Sequence, residues 1–356
     1  MVARVIIGAN YGDEGKGTVV ARYTKESDNV LNVLTNGGPQ RGHSILTEKG
    51  SMTFQHFGSG TFHGADNHYS RYFILNPMQF VNEYNGLLVK PKHIYRDPRC
   101  KWTTPYDVMA NLIQEEQLRR KASCGMGIWN TIKRFNYMPG KTMLFDMLFA
   151  LTEEAKADYL RSIRRYYDNN LQIPDHWKDT WYSPALIQHF LEDCAFMLDK
   201  TEVVELKDLS YENLIFENGQ GLLLSDTGKD TYDTTPSDTG IRYALELTGE
   251  LGIGSLTAHY VTRPYLTRHG DGEMMNEKQR KLISKDIMED RTNHDNEHQG
   301  GFRYGKLDIN SLYDRIVGDA RGVRFQLELT HCDEMDRLNE FKMKFGDVNT
   351  YDTPLV

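Results

Sequence analysis

The chain has 356 residues, 39% hydrophobic and 26% charged, which is ample for a large core and unlike a disordered segment. Its 42 Lys plus Arg and 50 Asp plus Glu leave a formal charge of −8. That argues against a general nucleic-acid binder but not against a phosphate ligand, which needs only a local nest of N–H groups and a lysine. No apolar run reaches the ~18 residues of a membrane span, and the opening Met1–Gly8 reads into a strand rather than a signal peptide. Cys100, Cys124, Cys194 and Cys332 are scattered, with no Cys-x-x-Cys pair. The expectation is a reduced, cytoplasmic protein that contacts neither membrane nor nucleic acid.

Residues 2–8 form a short apolar strand ending at a glycine-bearing turn. A short helix follows through Val19, Val20 and Tyr23, then a buried strand from Val30 to Leu34. Strand, glycine loop, helix and strand is how an α/β domain begins. The middle is helical. Pro105 suits a first helical position before Val108, Met109, Leu112 and Ile113. Ala155, Tyr159 and Ile163 keep helical spacing. Ser183-Pro184 reads as a cap and first-turn proline before the stripe Leu186, Ile187, Phe190, Leu191, Cys194 and Met197, which places Cys194 in a core. Strands return at Leu214–Phe216, Ser255–Thr262 and Arg324–Thr330, with helices expected over Glu277–Met288 and Asn310–Val317. No repeat or linker interrupts the chain, so residues 1–356 read as one elaborated α/β domain with a helical insertion at roughly 100–200.

Four polar segments follow apolar strands, and loops at the carboxyl ends of neighbouring strands converge on one crevice. The first is Gly12-Asp13-Glu14-Gly15-Lys16-Gly17-Thr18. Its glycines let successive N–H groups face phosphate oxygens, and Lys16 and a helix N-terminus add positive charge. It departs from the G-x-x-x-x-G-K-[ST] loop: Asn10 holds the first glycine position, and Gly17 follows the lysine. The second is Gly37-Gly38-Pro39-Gln40-Arg41-Gly42-His43-Ser44. Here His43 suits a general acid or electrophile, with Asp13 as base; taken alone, His43 would be an ordinary loop histidine. The third, Glu217-Asn218-Gly219-Gln220-Gly221, offers Gln220 to a purine edge, though a solvated glycine turn explains it equally. The fourth, Leu329-Thr330-His331-Cys332-Asp333, ends in a carboxylate suited to nucleobase N–H groups or to a helix cap. His294 to His298 matches H-x-x-E-H, but that motif requires a helix, and the loop formers around it argue against zinc.

In this order the segments resemble the adenylosuccinate synthetase family. Residues 12–17 are similar to its opening motif. Residues 37–44 are similar to Gly-Gly-His-Asn-Ala-Gly-His-Thr, and 217–221 to Glu-Gly-Ala-Gln-Gly. Thr235-Pro236-Ser237-Asp238-Thr239 resembles Thr-Ser-Ser-Asn-Thr. Thr267-Arg268-His269-Gly270-Asp271-Gly272 resembles Thr-Arg-Val-Gly-Ala-Gly, and 329–336 resembles the family's last block. The resemblance implies an α/β fold: a central, mostly parallel sheet with a P-loop-like nucleotide-binding loop and flanking helices. It implies a two-step ligation in which a nucleoside triphosphate phosphorylates the 6-oxo group of a purine monophosphate and the amine of L-aspartate displaces that phosphate.

Carried over by position, Asp13 and His43 are the catalytic pair. Gly12 to Thr18, Gly42, His43, Ser44, His331 and Asp333 hold the triphosphate. Asp13, Asn36, Gln40, Ser123, Cys124, Gln220, Thr235 and Thr239 hold the acceptor nucleotide. Gly300, Gly301 and Arg303 hold aspartate. Mg2+ falls to Asp13 and the Gly42 carbonyl, oxygen donors that suit it. A homodimer is implied, with Arg134 placed near the arginine that reaches across. The departures are informative. His331 replaces the lysine of the guanine-reading Lys-x-Asp, so ATP or dATP becomes the expected donor instead of GTP. One arginine remains in the aspartate loop, compatible with a 2′-deoxyribose. Ala122-Ser123-Cys124-Gly125-Met126-Gly127 stands where the family has Gly-Thr-Thr-Gly-Arg-Gly. The combination resembles the bacteriophage branch that joins aspartate to dGMP for 2-aminoadenine DNA. The alternative acceptor is IMP, and the presence of Asp13 is the feature that favours it.

Overall fold

Among the described residues nine strands form the main sheet, and every pairing in it is parallel. They are β1 (Val2–Gly8), β2 (Val30–Leu34), β3 (Asp66–Tyr69), β4 (Ile94–Arg96), β5 (Glu202–Val203), β6 (Asn213–Gly221), β7 (Leu256–Thr262), β8 (Phe325–Leu329) and β9 (Val348–Thr350). Their order across the sheet is β9-β8-β7-β1-β6-β2-β3-β4-β5. The computed structural model describes residues 1–47, 50–119, 123–138, 142–226, 234–290 and 301–353.

A parallel sheet is covered on both faces, so its inner strands read as continuous apolar runs. All five residues of β2 are buried. Along β1 the side chains alternate. Val5 and Ile7 join a core beneath Arg242–Glu250 and Ile309–Ala320, while Ile6 packs with Val19 and Val20 of helix α1 (Lys16–Lys25). The chain leaves β1, makes α1 and returns as β2, with β6 inserted between the two strands. That reversal opens a crevice at the carboxyl ends of β1, β6 and β2, where three of the four polar segments emerge.

Among the described residues of 105–200 helices predominate, the longest being Pro105–Leu118, Glu153–Asp168 and Pro184–Lys200. Their core joins Trp102, Tyr106, Ile163, Trp181 and Phe190 to Tyr69 and Phe73 of the sheet side. Pro105 is at the first turn, and Thr104 and Asp107 cap each other reciprocally. Cys194 lies in the core, and all four cysteines are free thiols. Pro184 opens its helix as expected, but the Ser183 side chain makes no capping hydrogen bond.

Two expectations fail. Over Glu277–Met288 only Arg280–Ile283 is helical. Asn276 takes φ +50°, Glu277 bridges to Gly305, and Lys278 donates to the Tyr304 carbonyl, so a neighbouring strand claims the backbone first. Arg134 cannot reach across to a second subunit. It is fully buried, with Nε 2.8 Å from Asp107 Oδ1 and Nη2 donating to the Trp102 carbonyl at 2.6 Å. Tyr167 Oη also donates to Asp107, at 2.6 Å. Arg134 therefore ties together the helices Ile128–Tyr137, Pro105–Leu118 and, through Asp107 and Tyr167, Glu153–Asp168.

Candidate active site

The glycine loop is shaped by its own charges. Glu14 turns inward, and its Oε1 accepts the N–H groups of Asn10 at 3.0 Å and Gly12 at 2.9 Å. Lys16 is 1% exposed, lies 3.7 Å from Glu14 Oε2 and donates to the Gly12 carbonyl at 2.6 Å. Burial pushes the Glu14 carboxyl up and the Lys16 ammonium down. Glu14 is thus an internal counter-ion rather than a group facing a ligand. Gly8 is required by this packing, because a Cβ there would sit 2.5 Å from Glu14 Oε2. Gly17, the residue that breaks the usual lysine motif, lets α1 approach the 43–44 backbone: a Cβ would lie 3.0 Å from the Ser44 carbonyl oxygen.

Asp13, Gly42 and His43 line one cavity of ≈330 Å³ with Gln40, Ser44, Ser123, Cys124, Gln220 and Thr235. So most of the residues expected to meet the acceptor nucleotide do border one cavity. Gln40 donates to Thr235 Oγ1 at 3.3 Å, and Ser123 Oγ accepts from Asn111 at 3.0 Å. Burial pushes the Cys124 thiol up to about 12, which keeps it unreactive. Gln220 takes φ +56°, a strained conformation of the kind that collects at functional sites. Burial pushes the Asp13 carboxyl up, against the charges of His269, Lys16 and Arg263.

The residue that organises His43 is Glu217, whose partnership spans 174 residues of sequence. His43 Nδ1 lies 2.5 Å from Glu217 Oε1. The same carboxylate accepts from Ser59 Oγ at 2.6 Å and from Ser59 N at 2.9 Å. Burial would raise the Glu217 carboxyl, but the hydrogen bond and charge of His43 and the Arg41 guanidinium hold it at about 2. Burial holds the His43 imidazole down at about 4, against the pull of Glu217. At neutral pH the pair is an ionised carboxylate accepting Nδ1–H from a neutral ring. Nε2 is left for a ligand, and an anion arriving there is met by an imidazolium that Glu217 stabilises.

Other expected residues serve elsewhere. Asn36 is fully buried, and its amide clamps β2 to β6 by accepting from Gly219 N at 2.8 Å and donating to Ser237 Oγ at 3.2 Å. Thr239 Oγ1 donates to the Gly221 carbonyl at 2.9 Å. Both side chains are fully buried and hydrogen-bonded within the fold. Arg303 is committed to Glu277, with Nε to Oε1 at 2.9 Å, and to the carbonyls of Gly270 and Gly272 at 2.9 and 2.8 Å. It pins a turn instead of facing the cavity. Gly301 is exposed beside it, and Gly300, Ala122 and the His294–His298 segment lie outside the described residues.

His331 takes φ +56° with Nδ1 3.0 Å from Thr330 Oγ1, and burial pushes its ring well below the ordinary range. Asp333 Oδ1 accepts from Thr353 N at 2.6 Å and Thr353 Oγ1 at 2.8 Å. Thr330 Oγ1 donates to the Glu14 carbonyl at 2.7 Å, joining this segment to the glycine loop. Arg268, from the 267–272 segment, lines the cavity and packs over Tyr11.

Known proteins are similar to this chain in sequence and in fold. A Dehalococcoides mccartyi adenylosuccinate synthetase is 26% identical over 344 residues, covering 89% of this chain and 74% of its own length. A Haemophilus influenzae adenylosuccinate synthetase is 27% identical over 293 residues, covering 77% of this chain and 64% of its own. Among solved structures, fully ligated adenylosuccinate synthetase from Plasmodium falciparum superposes with a TM-score of 0.74 at 18% identity, over 95% of this chain and 78% of that one. Cyanophage S-2L succinoaminodeoxyadenylate synthetase (PurZ), bound to dGMP and dATP, gives 0.66 at 14% identity, over 99% and 91%. The sequence profile described as adenylosuccinate synthetase matches residues 5–346, from β1 to beyond the Asp333 segment. The chain belongs to the adenylosuccinate synthetase family of C–N bond-forming ligases.

Proposed function

We propose that this chain joins L-aspartate to C6 of dGMP at the expense of ATP or dATP, giving N6-succino-2-amino-2′-deoxyadenylate. The observation that carries the deoxynucleotide is Arg303. Its guanidinium is spent on Glu277 and two turn carbonyls, so this arginine is not available to a 2′-hydroxyl. Support for an adenine donor comes from the other end of the site. The carboxylate suited to guanine is engaged by Thr353, and His331 rather than lysine precedes it. The phage protein of the same fold, bound to dGMP and dATP, offers a precedent for that pairing of ligands.

In this reading Asp13 takes the N1 proton so that O6 attacks the terminal phosphoryl group. His43, backed by Glu217, stabilises charge on O6 and on the transferring group. The aspartate amine then attacks C6, and phosphate leaves with the original O6. The Asp13 carboxylate and Gly42 carbonyl are hard oxygen donors lining one cavity, and burial disfavours the Asp13 anion, a cost that a bound cation would offset. They fit Mg2+, which needs few protein ligands and supplies charge neutralisation between phosphates. The second reading, IMP with GTP, is favoured by Asp13 itself, whose carboxylate would crowd a guanine 2-amino group. The family resemblance extends to a homodimer, and here Arg134 is not its crossing residue.

The test uses dGMP labelled with 18O at position 6, with L-aspartate, Mg2+ and dATP. The proposal requires the label in released phosphate and a succinylated, unlabelled nucleotide. Unlabelled phosphate, or no adduct from dGMP, would refute it.

A further inference from the structure

Arg263 belongs to none of the polar segments; it directly follows β7. Its side chain is 6% exposed. Nε donates to the main-chain carbonyl of Asp13 at 2.8 Å. Nη2 meets Asp290 Oδ2 at 2.6 Å, and Nη1 donates to Tyr265 Oη at 3.3 Å. Tyr265 donates in turn to Glu334, three residues past His331. One guanidinium therefore joins the glycine loop, the Asp290 segment and, through Tyr265, the segment expected to read the donor base.

We propose that Arg263 is a positioning residue of the ligation, holding the Asp13 peptide in register with the 331–334 segment through a buried hub with Asp290 and Tyr265. This rests on Asp13 as the base. The loop has little stiffness of its own: Gly12 and Gly15 flank Asp13 and Glu14 at φ +112° and +92°. A carbonyl fixed from outside the loop supplies what the glycines lack. The planar fork of arginine reaches three acceptors at set angles, which a lysine ammonium does not reproduce. A buried ion pair contributes little to stability in itself, so a role in geometry accounts better for this one.

The test compares Arg263→Lys, Asp290→Asn and the double variant Arg263→Met/Asp290→Asn, which removes both members of the Arg263–Asp290 ion pair and so avoids stranding either partner. Misplacing a reacting group by ~1 Å costs on the order of 100-fold in rate. The double variant should lose kcat on that scale with KM for each substrate nearly unchanged. Asp290→Asn keeps the bond to Asp13 and should retain most of the rate, and Arg263→Lys should recover part of it. Hydrogen exchange at residues 11–15 should accelerate in the double variant only. A folded double variant with wild-type kcat would overturn the proposal, as would Asp290→Asn losing as much as the double. If the wild type ligates neither dGMP nor IMP, the reading of Asp13 fails, and exchange at 11–15 still decides whether Arg263 holds the loop. Unchanged exchange there overturns the hub.

Discussion

Replacing Glu217 by glutamine keeps the shape of the side chain and removes its charge. In the structure this carboxylate accepts three hydrogen bonds, from His43 Nδ1 and from Ser59 N and Oγ. A glutamine has one acceptor oxygen, so at least one buried donor is left poorly paired, at about 1–3 kcal/mol. That is a fraction of the ~5–15 kcal/mol of a typical fold, so Glu217→Gln should remain folded. The catalytic cost is larger. Without the carboxylate nothing stabilises an imidazolium at His43, whose ring is already held down at about 4 by burial. Losing the anion behind a catalytic histidine costs on the order of 10²–10⁴ in kcat. The assay is steady-state turnover with near-saturating substrates, beside circular dichroism at the same concentration. KM should hardly move, because Glu217 is fully buried and does not line the cavity. A folded Glu217→Gln enzyme within about threefold of wild-type kcat would refute the assignment of His43.

Four further outcomes follow from named contacts. Because Glu217 is held at about 2 in the fold against 4.5 ordinarily, its contribution is full above 4.5 and is lost as pH falls toward 2; the denaturant midpoints of wild type and Glu217→Gln should therefore draw together progressively from pH 4.5 down to about 2. Gly8→Ala places a Cβ 2.5 Å from Glu14 Oε2 and 2.6 Å from the Gln220 carbonyl oxygen; it should raise KM for the triphosphate and lower the melting temperature. Arg134→Met strands Asp107 in the helical core and should cost ~3–5 kcal/mol in urea unfolding, with the folded fraction keeping its wild-type sedimentation. Chelation with EDTA should abolish turnover, and Mg2+ should restore it, whereas Asp13→Asn should need more Mg2+ to reach half its own maximum.

The polar segments were legible because each follows an apolar run, and a parallel sheet brings the carboxyl ends of such runs to one edge. Glu217 was visible only as part of a motif. Its signal was an acid closing the apolar run Leu214-Ile215-Phe216, since a charge buried in a sheet needs a partner, but nothing local names one 174 residues away. Arg263 gave less, standing in a Thr-Arg-Pro turn that reads as surface. Glu14 and Arg303 misled for the same reason: position in a motif does not reveal whether a charged group turns to the ligand or to its own backbone. The expected helix over 277–288 failed because pairing with Phe302–Gly305, a long-range contact, took that backbone.

The most direct test of the account is a competition. Purified protein with Mg2+, L-aspartate and dATP is given equal dGMP and IMP in one tube, and the two adducts are counted by mass. The account predicts mostly succino-2-amino-deoxyadenylate. An excess of the adduct from IMP would contradict it and return the chain to ordinary adenine nucleotide synthesis.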